Sequence, residues 1–313
     1  MCIKYAAVLH TYNNAQYISD AIDGALQQTV PPAEIIVLDD GSTDDTERIV
    51  RNRYRERVKY SRVVNSGCGA ARRQAIEMST QPWIAQCDSD DVWFADHISR
   101  KCEALRIHGD IDYFCSNFCS FGPNAGSGYT RLGEAPNGWL SRYATNASNE
   151  FAILDKPYLA LLEFNPAFPS GVVMKRDLYD RVGGIRDKYS RCHAEDTDFT
   201  RRAMLDPHAV VACDLKVTWK YRRTGKNMST TNYKNSLWRG RIINDLIADG
   251  LVPEEFRAAS LRRVSESFTE AFRLAFWDGH YRDAVDIYKS INTKLGPKDK
   301  LRYMMAFAYK FLK

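Results

Sequence analysis

The chain has 313 residues, 44% of them hydrophobic and 27% charged, and a formal net charge of +5. This composition is ample for a hydrophobic core and predicts one large domain, or one domain with an appendage, rather than a low-complexity chain. No apolar run reaches the roughly 18 residues of a membrane span and no secretory signal follows Met1, so we expect a cytoplasmic protein.

The excess positive charge lies in the last quarter of the chain. Residues 1–231 carry 29 Lys and Arg against 29 Asp and Glu, whereas residues 232–313 carry 15 against 10. This distribution predicts a basic appendage that could meet an anionic surface, and no nucleic-acid partner; an ordinary solvated helical surface is the alternative. The eight cysteines are scattered without CxxC spacing, which predicts reduced thiols and neither a zinc site nor a disulfide framework.

Four apolar segments in the first 90 residues predict buried strands, and each one runs into a polar turn. They begin at Tyr5, Glu34, Val58 and Trp83, and segments with helical spacing lie between them. Strand, turn and helix in repetition predict a doubly wound α/β sheet, in which the polar turns converge on one edge.

Three carboxylates, Asp88, Asp90 and Asp91, directly follow the fourth strand. Asp88 and Asp90 are separated by one residue, so in an extended segment both point to the same side. Two hard oxygen ligands suit Mg²⁺ or Mn²⁺ together with the oxygens of a diphosphate. A loop of solvated acids is the alternative.

A second pair of acids, Glu195 and Asp196, stands at the start of a predicted helix. Acids in the first helical turn interact favourably with the helix dipole, so this pair alone could be structural. The alternative is a functional carboxylate, since a general base can take a proton from a reacting hydroxyl.

The ordered set of motifs resembles the family 2 glycosyltransferases, which have the GT-A fold. The motifs of the nucleotide-sugar half are Thr11-Tyr12-Asn13, Asp39-Asp40-Gly41-Ser42, Asn65-x-Gly67, Ala71-Arg72 and Asp88-x-Asp90-Asp91-x-Trp93; those of the acceptor half are Pro169–Arg176, Val182–Ile185 and Ala194–Phe199. The resemblance implies a GT-A domain over residues 1–232, with a donor half of about 1–100 and an acceptor half of about 101–232. A C-terminal helical region, 233–313, follows.

The resemblance also implies a role for each matching residue. By resemblance, Tyr12 and Asp40 hold the nucleotide base, with Thr11 beside them, and Arg72 reaches the base region or the phosphates. Asp88 serves the ribose and the metal shell, Asp90 binds the metal directly, and Asp91 and Trp93 lie near the transferred sugar. Asp196 is the catalytic base, with Glu195 as its neighbour. The expected cofactor is Mn²⁺ or Mg²⁺, which neutralises charge on the diphosphate leaving group.

Three positions depart from the family pattern. His10 stands where proline is usual, Arg73 where asparagine is frequent, and Thr224 where a histidine often serves as a further metal ligand. The segment from Arg222 to Thr231 is rich in Arg, Lys, Gly and Ser and is interpreted as a lid able to meet phosphates.

The last 80 residues predict helices over 237–247, 254–277 and 281–291, followed by a basic amphipathic end over 298–313. That end could lie on an anionic membrane, as a peripheral contact on its inner face, or pack on its own domain or in a homo-oligomer.

Taken together, the motifs predict an inverting, non-processive, metal-dependent glycosyltransferase of the hexosyltransferase type. Its donor is a nucleoside-diphosphate sugar, expected to be a UDP-sugar, and its acceptor a saccharide or lipid-linked saccharide in surface polysaccharide synthesis. The Gln-x-x-Arg-Trp segment of processive relatives is not present in the sequence. The alternatives are a sugar-nucleotide pyrophosphorylase and an inactive glycosyltransferase-like binding module.

Overall fold

One mixed sheet of ten strands forms the centre of the larger unit in the computed structural model, within the residues that the structure describes. Those residues are 2–145, 147–192, 194–225, 232–291, 293 and 295–309. The chain divides into two units, Met1–Lys226 and Asn227–Lys313. The strands are β1 (Tyr5–Thr11), β2 (Glu34–Asp39), β3 (Lys59–Arg62), β4 (Trp83–Asp88), β5 (Val92–Trp93), β6 (Tyr113–Phe121), β7 (Ala144–Thr145), β8 (Phe151–Leu154), β9 (Val173–Lys175) and β10 (Val211–Arg222).

Helices flank the sheet in the first unit and make up the second unit. Those of the first unit are α1 (Ile18–Leu26), α2 (Thr46–Tyr54), α3 (Cys68–Glu77), α4 (His97–His108), α5 (Trp139–Tyr143), α6 (Pro157–Glu163), α7 (Arg176–Arg181) and α8 (Glu195–Leu205). Those of the second unit are α9 (Tyr233–Ala248), α10 (Glu254–Trp277), α11 (Tyr281–Lys289) and α12 (Pro297–Tyr309).

The strand order places several strand ends at a single edge of the sheet. The order is β3-β2-β1-β4-β9-β6-β10-β8-β7, and β5 pairs with β10. β1 is parallel to β2 and β4, β6 is parallel to β10, and β9 is antiparallel to both β4 and β6. The carboxyl ends of β1, β2, β4, β6 and β10 therefore share one edge with the start of β9.

Almost every successive residue of β1, β2 and β4 is buried, so both faces of these strands are covered, as their continuous apolar sequences predict. Leu9 of β1, Val37 of β2 and Ala85 of β4 are fully buried in one hydrophobic cluster with residues of α1 such as Ile22. The predicted α/β class, with a mainly parallel sheet and a helical C-terminal region, is confirmed.

The expectation that all cysteines are reduced is wrong for one pair. Cys2 and Cys102 form a disulfide with a Cα–Cα distance of 5.1 Å. The segment before β1 lies beside α4, and this brings together two residues that are 100 positions apart. The other six cysteines are not part of a disulfide.

The second unit contains the three helices predicted from the sequence. The first begins at Tyr233, four residues earlier than predicted, because the side chain of Asn232 caps it by accepting hydrogen bonds from the backbone N–H groups of Lys234 and Asn235. In the part of the chain that the structure describes, no helix has the length and apolar character needed to cross a bilayer.

Candidate active site

Arg72 joins the two groups of acids that the sequence predicts as functional. It lies on the second turn of α3, and its Nη2 donates a hydrogen bond of 2.8 Å to Oδ1 of Asp88 at the end of β4. Its Nη1 donates to Oε1 of Glu195, the first residue of α8. Although 107 residues separate Asp88 from Glu195 in the sequence (195 minus 88), both carboxylates contact the same guanidinium.

Two glycines at the start of α3 make this approach of the chain to α8 possible. The N–H of Gly69 donates to the carbonyl of Ser190 at 3.2 Å. A Cβ at Gly69 would lie only 2.8 Å from Cγ of Glu195 and from Cα of Ser190. Gly67 has a φ of +96°, and a Cβ there would lie 2.8 Å from the same carbonyl oxygen. The Gly-x-Gly spacing in the sequence therefore serves close packing against the acceptor-half segment.

The turn after β4 is held by the segment that precedes β9. Ser170 Oγ accepts a hydrogen bond from the N–H of Asp88 at 2.9 Å and donates one to Oδ2 of Asp91 at 2.6 Å. Oδ1 of Asp91 accepts from the N–H of Arg222 at 3.0 Å, and the indole N–H of Trp93 donates to the Ser170 carbonyl at 2.6 Å. Asp91 and Trp93 are buried and position the turn, whereas their place beside a transferred sugar stays a prediction.

The carbonyl of Asp90 accepts a hydrogen bond of 2.7 Å from Nε of Arg222, which fixes the backbone of this turn. Burial, and next the negative charge of Asp88, raise the pKa of Asp90 from 3.8 to about 6. A divalent cation between the two carboxylates would relieve this repulsion, so the pair fits a hard cation. Within the described ranges no cluster of three or more His, Cys, Asp or Glu side chains forms a metal site. Asp88 and Asp90 could therefore hold Mg²⁺ or Mn²⁺ only together with waters or ligand oxygens.

Asp196 is a partly buried carboxylate at the N-terminal turn of α8. Burial, and next the charge of Glu195, raise its pKa from 3.8 to about 6, and the nearby Arg72 opposes this rise. Its Oδ1 accepts a hydrogen bond of 2.7 Å from the N–H of Thr197. A carboxylate with this pKa is ionised at neutral pH and more basic than an exposed one, which suits a general base.

Glu195 itself is only 2% exposed. Its Oε1 accepts from Arg72 and, at 3.3 Å, from the thiol of Cys68. Its Oε2 is buried and has no hydrogen-bond partner among the described residues. The carboxylate is thus fixed through one oxygen, and the other remains able to accept a hydrogen bond.

His10, one of the departures from the family pattern, lies beside these groups. Its Nε2 is 3.1 Å from Sγ of Cys68, and its Nδ1 is 3.8 Å from Oδ1 of Asp88. Burial, and next the charge of Arg72, lower the pKa of His10 to about 4, so the imidazole is neutral at pH 7. The sequence motifs did not indicate the contact of Cys68 with His10 and Glu195. They also did not indicate that Ser170, which belongs to the Pro-Ser-Gly motif, joins Asp88 to Asp91.

The residues predicted to hold a nucleotide base lie at the same edge, after β1 and β2. The ring of Tyr12 is 51% exposed and free to stack on a planar group, whereas Thr11 is buried. Asp40 is also buried, and its carboxylate accepts from the N–H groups of Ser66 and Gly67 at 2.7 and 3.0 Å. Asp40 therefore fixes the turn before α3, and its contact with a base stays a prediction.

The predicted lid begins at Arg222, but its residues 226–231 lie outside the described part of the chain. Arg222 is tied to the acid turn, and its Nη2 also donates a hydrogen bond of 2.7 Å to Asp20 on α1. Its guanidinium carbon lies 4.5 Å from the ring centre of Tyr17 and 4.3 Å from that of Phe121. The start of the predicted lid is therefore a fixed part of the site.

The first half of the chain matches a known protein family. Residues 7–154 match the sequence model of the family described as Glycosyl transferase family 2. An uncharacterized glycosyltransferase of Rickettsia prowazekii is 36% identical over 110 residues, which is 34% of this chain and 34% of that protein. Chondroitin synthase of Escherichia coli is 40% identical over 97 residues, 30% of this chain and 14% of that protein. A putative teichuronic acid biosynthesis glycosyltransferase of Bacillus subtilis is 34% identical over 104 residues, 32% of this chain and 41% of that protein. Each match spans less than half of the relative's own length.

Two solved structures resemble the whole chain in fold. TarS of S. aureus, residues 1–349 in complex with UDP-GlcNAc, has a TM-score of 0.64 and 19% identity, and the match covers 97% of this chain and 79% of that one. The mannosyltransferase PcManGT of Pyrobaculum calidifontis, in complex with GDP-Man and Mn²⁺, has a TM-score of 0.58 and 17% identity over 99% of this chain and 86% of that one. At these identities the likeness shows the fold, and the predicted GT-A type is confirmed.

Proposed function

Because residues 7–154 match the sequence model of Glycosyl transferase family 2, we propose that the chain moves one sugar from a nucleoside-diphosphate sugar to a hydroxyl group of an acceptor. The donor is a UDP-sugar and the transferred group a hexose, delivered with inversion and without processive addition. The acceptor is a saccharide or a lipid-linked saccharide of a surface polysaccharide, and the reaction takes place on the cytoplasmic side of a membrane. The names of the matching relatives, a chondroitin synthase and a teichuronic acid biosynthesis enzyme, support polysaccharide synthesis.

One observation carries the proposal: the shared contacts of Arg72 bring the donor-half acid Asp88 and the acceptor-half acid Glu195 to one point. A displacement at a sugar carbon needs the leaving group and the base on either side of the reacting atom, within a few ångströms. The contacts of Arg72 support such an arrangement, because they join acids that come from opposite halves of the chain's first unit.

On the donor side, the exposed ring of Tyr12 stacks on the nucleotide base, and the turn fixed by Asp40 lines its pocket. Asp90, assisted by Asp88, would hold Mn²⁺ or Mg²⁺. When bound, the cation neutralises negative charge on the departing diphosphate. Arg72 keeps Asp88 in place and adds a positive charge beside the phosphates.

On the acceptor side, Asp196 accepts the proton of the attacking hydroxyl. Its pKa of about 6 keeps it ionised at neutral pH, yet basic enough to assist the attack. Glu195 anchors the start of α8 through Arg72.

Two conservative substitutions test the proposal by separating donor binding from transfer. Asp196→Asn should bind UDP-sugar with Mn²⁺ as the wild type does and lose about 100-fold or more of the transfer rate. Asp90→Asn should lose metal-dependent donor binding as well as transfer. Calorimetry with a panel of UDP-sugars, with and without a chelator, measures binding, and release of UDP in the presence of acceptor measures transfer.

A matched control is Asp177→Asn on α7, whose carboxylate is exposed and outside the site. It should leave donor binding and transfer unchanged. Full transfer by Asp196→Asn would contradict its role as the base, and donor binding that survives chelation would contradict metal dependence. A wild type that binds donor but transfers to no acceptor would favour the inactive binding module.

A further inference from the structure

The last helix of the second unit leaves an apolar stripe uncovered. In α12, residues Leu301, Met304, Met305 and Ala308 follow the i, i+3, i+4, i+7 spacing of one helix face. All four are exposed, with Leu301 at 54% and Met304 at 59%. Apolar side chains scattered singly on a surface are ordinary, but a contiguous stripe of this kind marks an interaction surface.

The opposite face of the same helix is packed within the unit. Asp299 and Ala306 are buried, and the ring of Tyr303 stacks on that of Tyr288 with centroids 4.1 Å apart. The helix is therefore already anchored through one face. The exposed stripe is a second face, which the described part of the chain does not cover.

The charge around the stripe is positive. Lys298 and Lys300 flank it on its two sides, and both are exposed, without an ion-pair partner among the described residues. The acid on this helix, Asp299, does not offset them, because its carboxylate is buried and paired with Arg273 and Arg302. Two further lysines of the basic end, Lys310 and Lys313, lie outside the described residues.

A tryptophan completes the surface. Trp277, at the end of α10, is 69% exposed, and the guanidinium of Arg302 lies 5.4 Å from its ring centre. Tryptophan is enriched at the boundary between lipid and water, where its ring is buried among headgroups and its N–H stays hydrated. The apolar stripe of α12, the lysines that flank it and the exposed ring of Trp277 thus belong to the same helical unit.

We propose that the stripe Leu301–Met304–Met305–Ala308 and its flanking lysines dock on the surface of an anionic lipid bilayer. The helix would lie in the interface, with its apolar side chains among the acyl chains and the lysines at the headgroup phosphates. A second copy of the chain is a poorer occupant, because contact between two such stripes would bring Lys298 and Lys300 of one copy close to the same lysines of the other. This surface goes beyond the transfer reaction and does not depend on it.

Sedimentation with vesicles of phosphatidylcholine, with and without phosphatidylglycerol, tests the proposal on the full chain. The wild type should bind vesicles that contain phosphatidylglycerol, more weakly at high salt, and bind pure phosphatidylcholine little. Leu301→Glu and Met304→Glu should each weaken the binding at least about tenfold, since each removes apolar contact and adds a negative charge. Lys298→Gln and Lys300→Gln should each weaken it about fivefold, which corresponds to about 1 kcal/mol per lysine.

The matched control is Leu261→Glu, which places the same charge on an exposed leucine of α10 in the same unit and should leave vesicle binding unchanged. Because the binding is measured without donor or acceptor, its outcome is independent of the transfer assay. Absence of sedimentation with anionic vesicles at low salt, or wild-type binding by Met304→Glu, would overturn the proposal. A lipid-free dimer that Met304→Glu dissociates would also overturn it and assign the stripe to a second copy.

Discussion

Removing the charge of Arg72 and removing the charge of Glu195 should move the pH profile of transfer in opposite directions. Asp196 is the responding group: the Glu195 charge adds to the rise of its pKa and the Arg72 charge opposes that rise. Since a general base works only when ionised, kcat of the wild type should fall below a pH of about 6.

The structure also gives the size of the effect. The rise of the Asp196 pKa from 3.8 to about 6 corresponds to about 3 kcal/mol in favour of the neutral carboxyl. One charge within roughly 4–6 Å changes a carboxyl pKa by about 1 to 3 units. The acidic limb is the part of the pH profile in which kcat falls as the pH is lowered. Arg72→Gln should therefore shift this limb to higher pH by about 1 to 2 units, and Glu195→Gln should shift it to lower pH by about 1 unit.

The assay is kcat against pH at saturating donor, metal and acceptor, because kcat then reports groups in the bound complex. Arg72→Lys is the matched control: it keeps the charge, so the limb should stay near its wild-type position. The rate itself should fall, because lysine cannot contact both acids with the fork of a guanidinium.

Stability provides a second readout of the same contacts. Arg72→Gln leaves the buried Glu195 without its charge partner and should lower the free energy of unfolding by about 3–5 kcal/mol. The double substitution Arg72→Gln/Glu195→Gln removes both charges and should recover most of this loss in urea unfolding. A limb that stays in place in both single variants, or that moves the same way in both, would refute Asp196 as the base.

Three other predictions concern single positions. Gly69→Ala places a Cβ 2.8 Å from Cα of Ser190, so it should lower the free energy of unfolding in urea by about 1–3 kcal/mol and reduce kcat in initial-rate assays. Wild-type values of both quantities would contradict the close approach of α3 to Ser190. Tyr12→Ala should raise KM for the donor several-fold and leave the melting temperature unchanged, since the ring is exposed; an unchanged KM would exclude stacking. A thiol assay on denatured, unreduced protein should find six thiols per chain, and a count of eight would show that the bridge between Cys2 and Cys102 does not form. Cys102→Ser should lower the free energy of unfolding by up to about 5 kcal/mol, because the bridge joins residues that are 100 positions apart.

The parts of the fold that follow from local sequence were predictable. Continuous apolar runs identified β1, β2 and β4, and the polar residues after them indicated the edge that holds the candidate site, because parallel strands end on the same side. The helical character of the second unit followed equally from its periodicity. In each case the signal lies within about ten consecutive residues.

The parts that depend on distant pairing were not predictable. The sequence could not show that Arg72 contacts Glu195, which is 123 residues away, or that Ser170 fixes the turn after β4. The same applies to the disulfide of Cys2 and Cys102, since the position of the N-terminal segment beside α4 is set by the packing of the whole unit. Motif roles likewise did not reveal that Asp91 and Trp93 are buried.

The position of β9 has a consequence for dissecting this protein. The family match runs from residue 7 to residue 154, and this stretch contains most of β1 and all of β2 to β8. In the sheet, however, β4 reaches β6 only through β9, and β6 reaches β8 only through β10. A fragment trimmed to the matched stretch would fall into separate ribbons with open edges, prone to aggregate. The smallest piece that can be expected to fold must therefore extend at least to Arg222, well beyond the end of the family match.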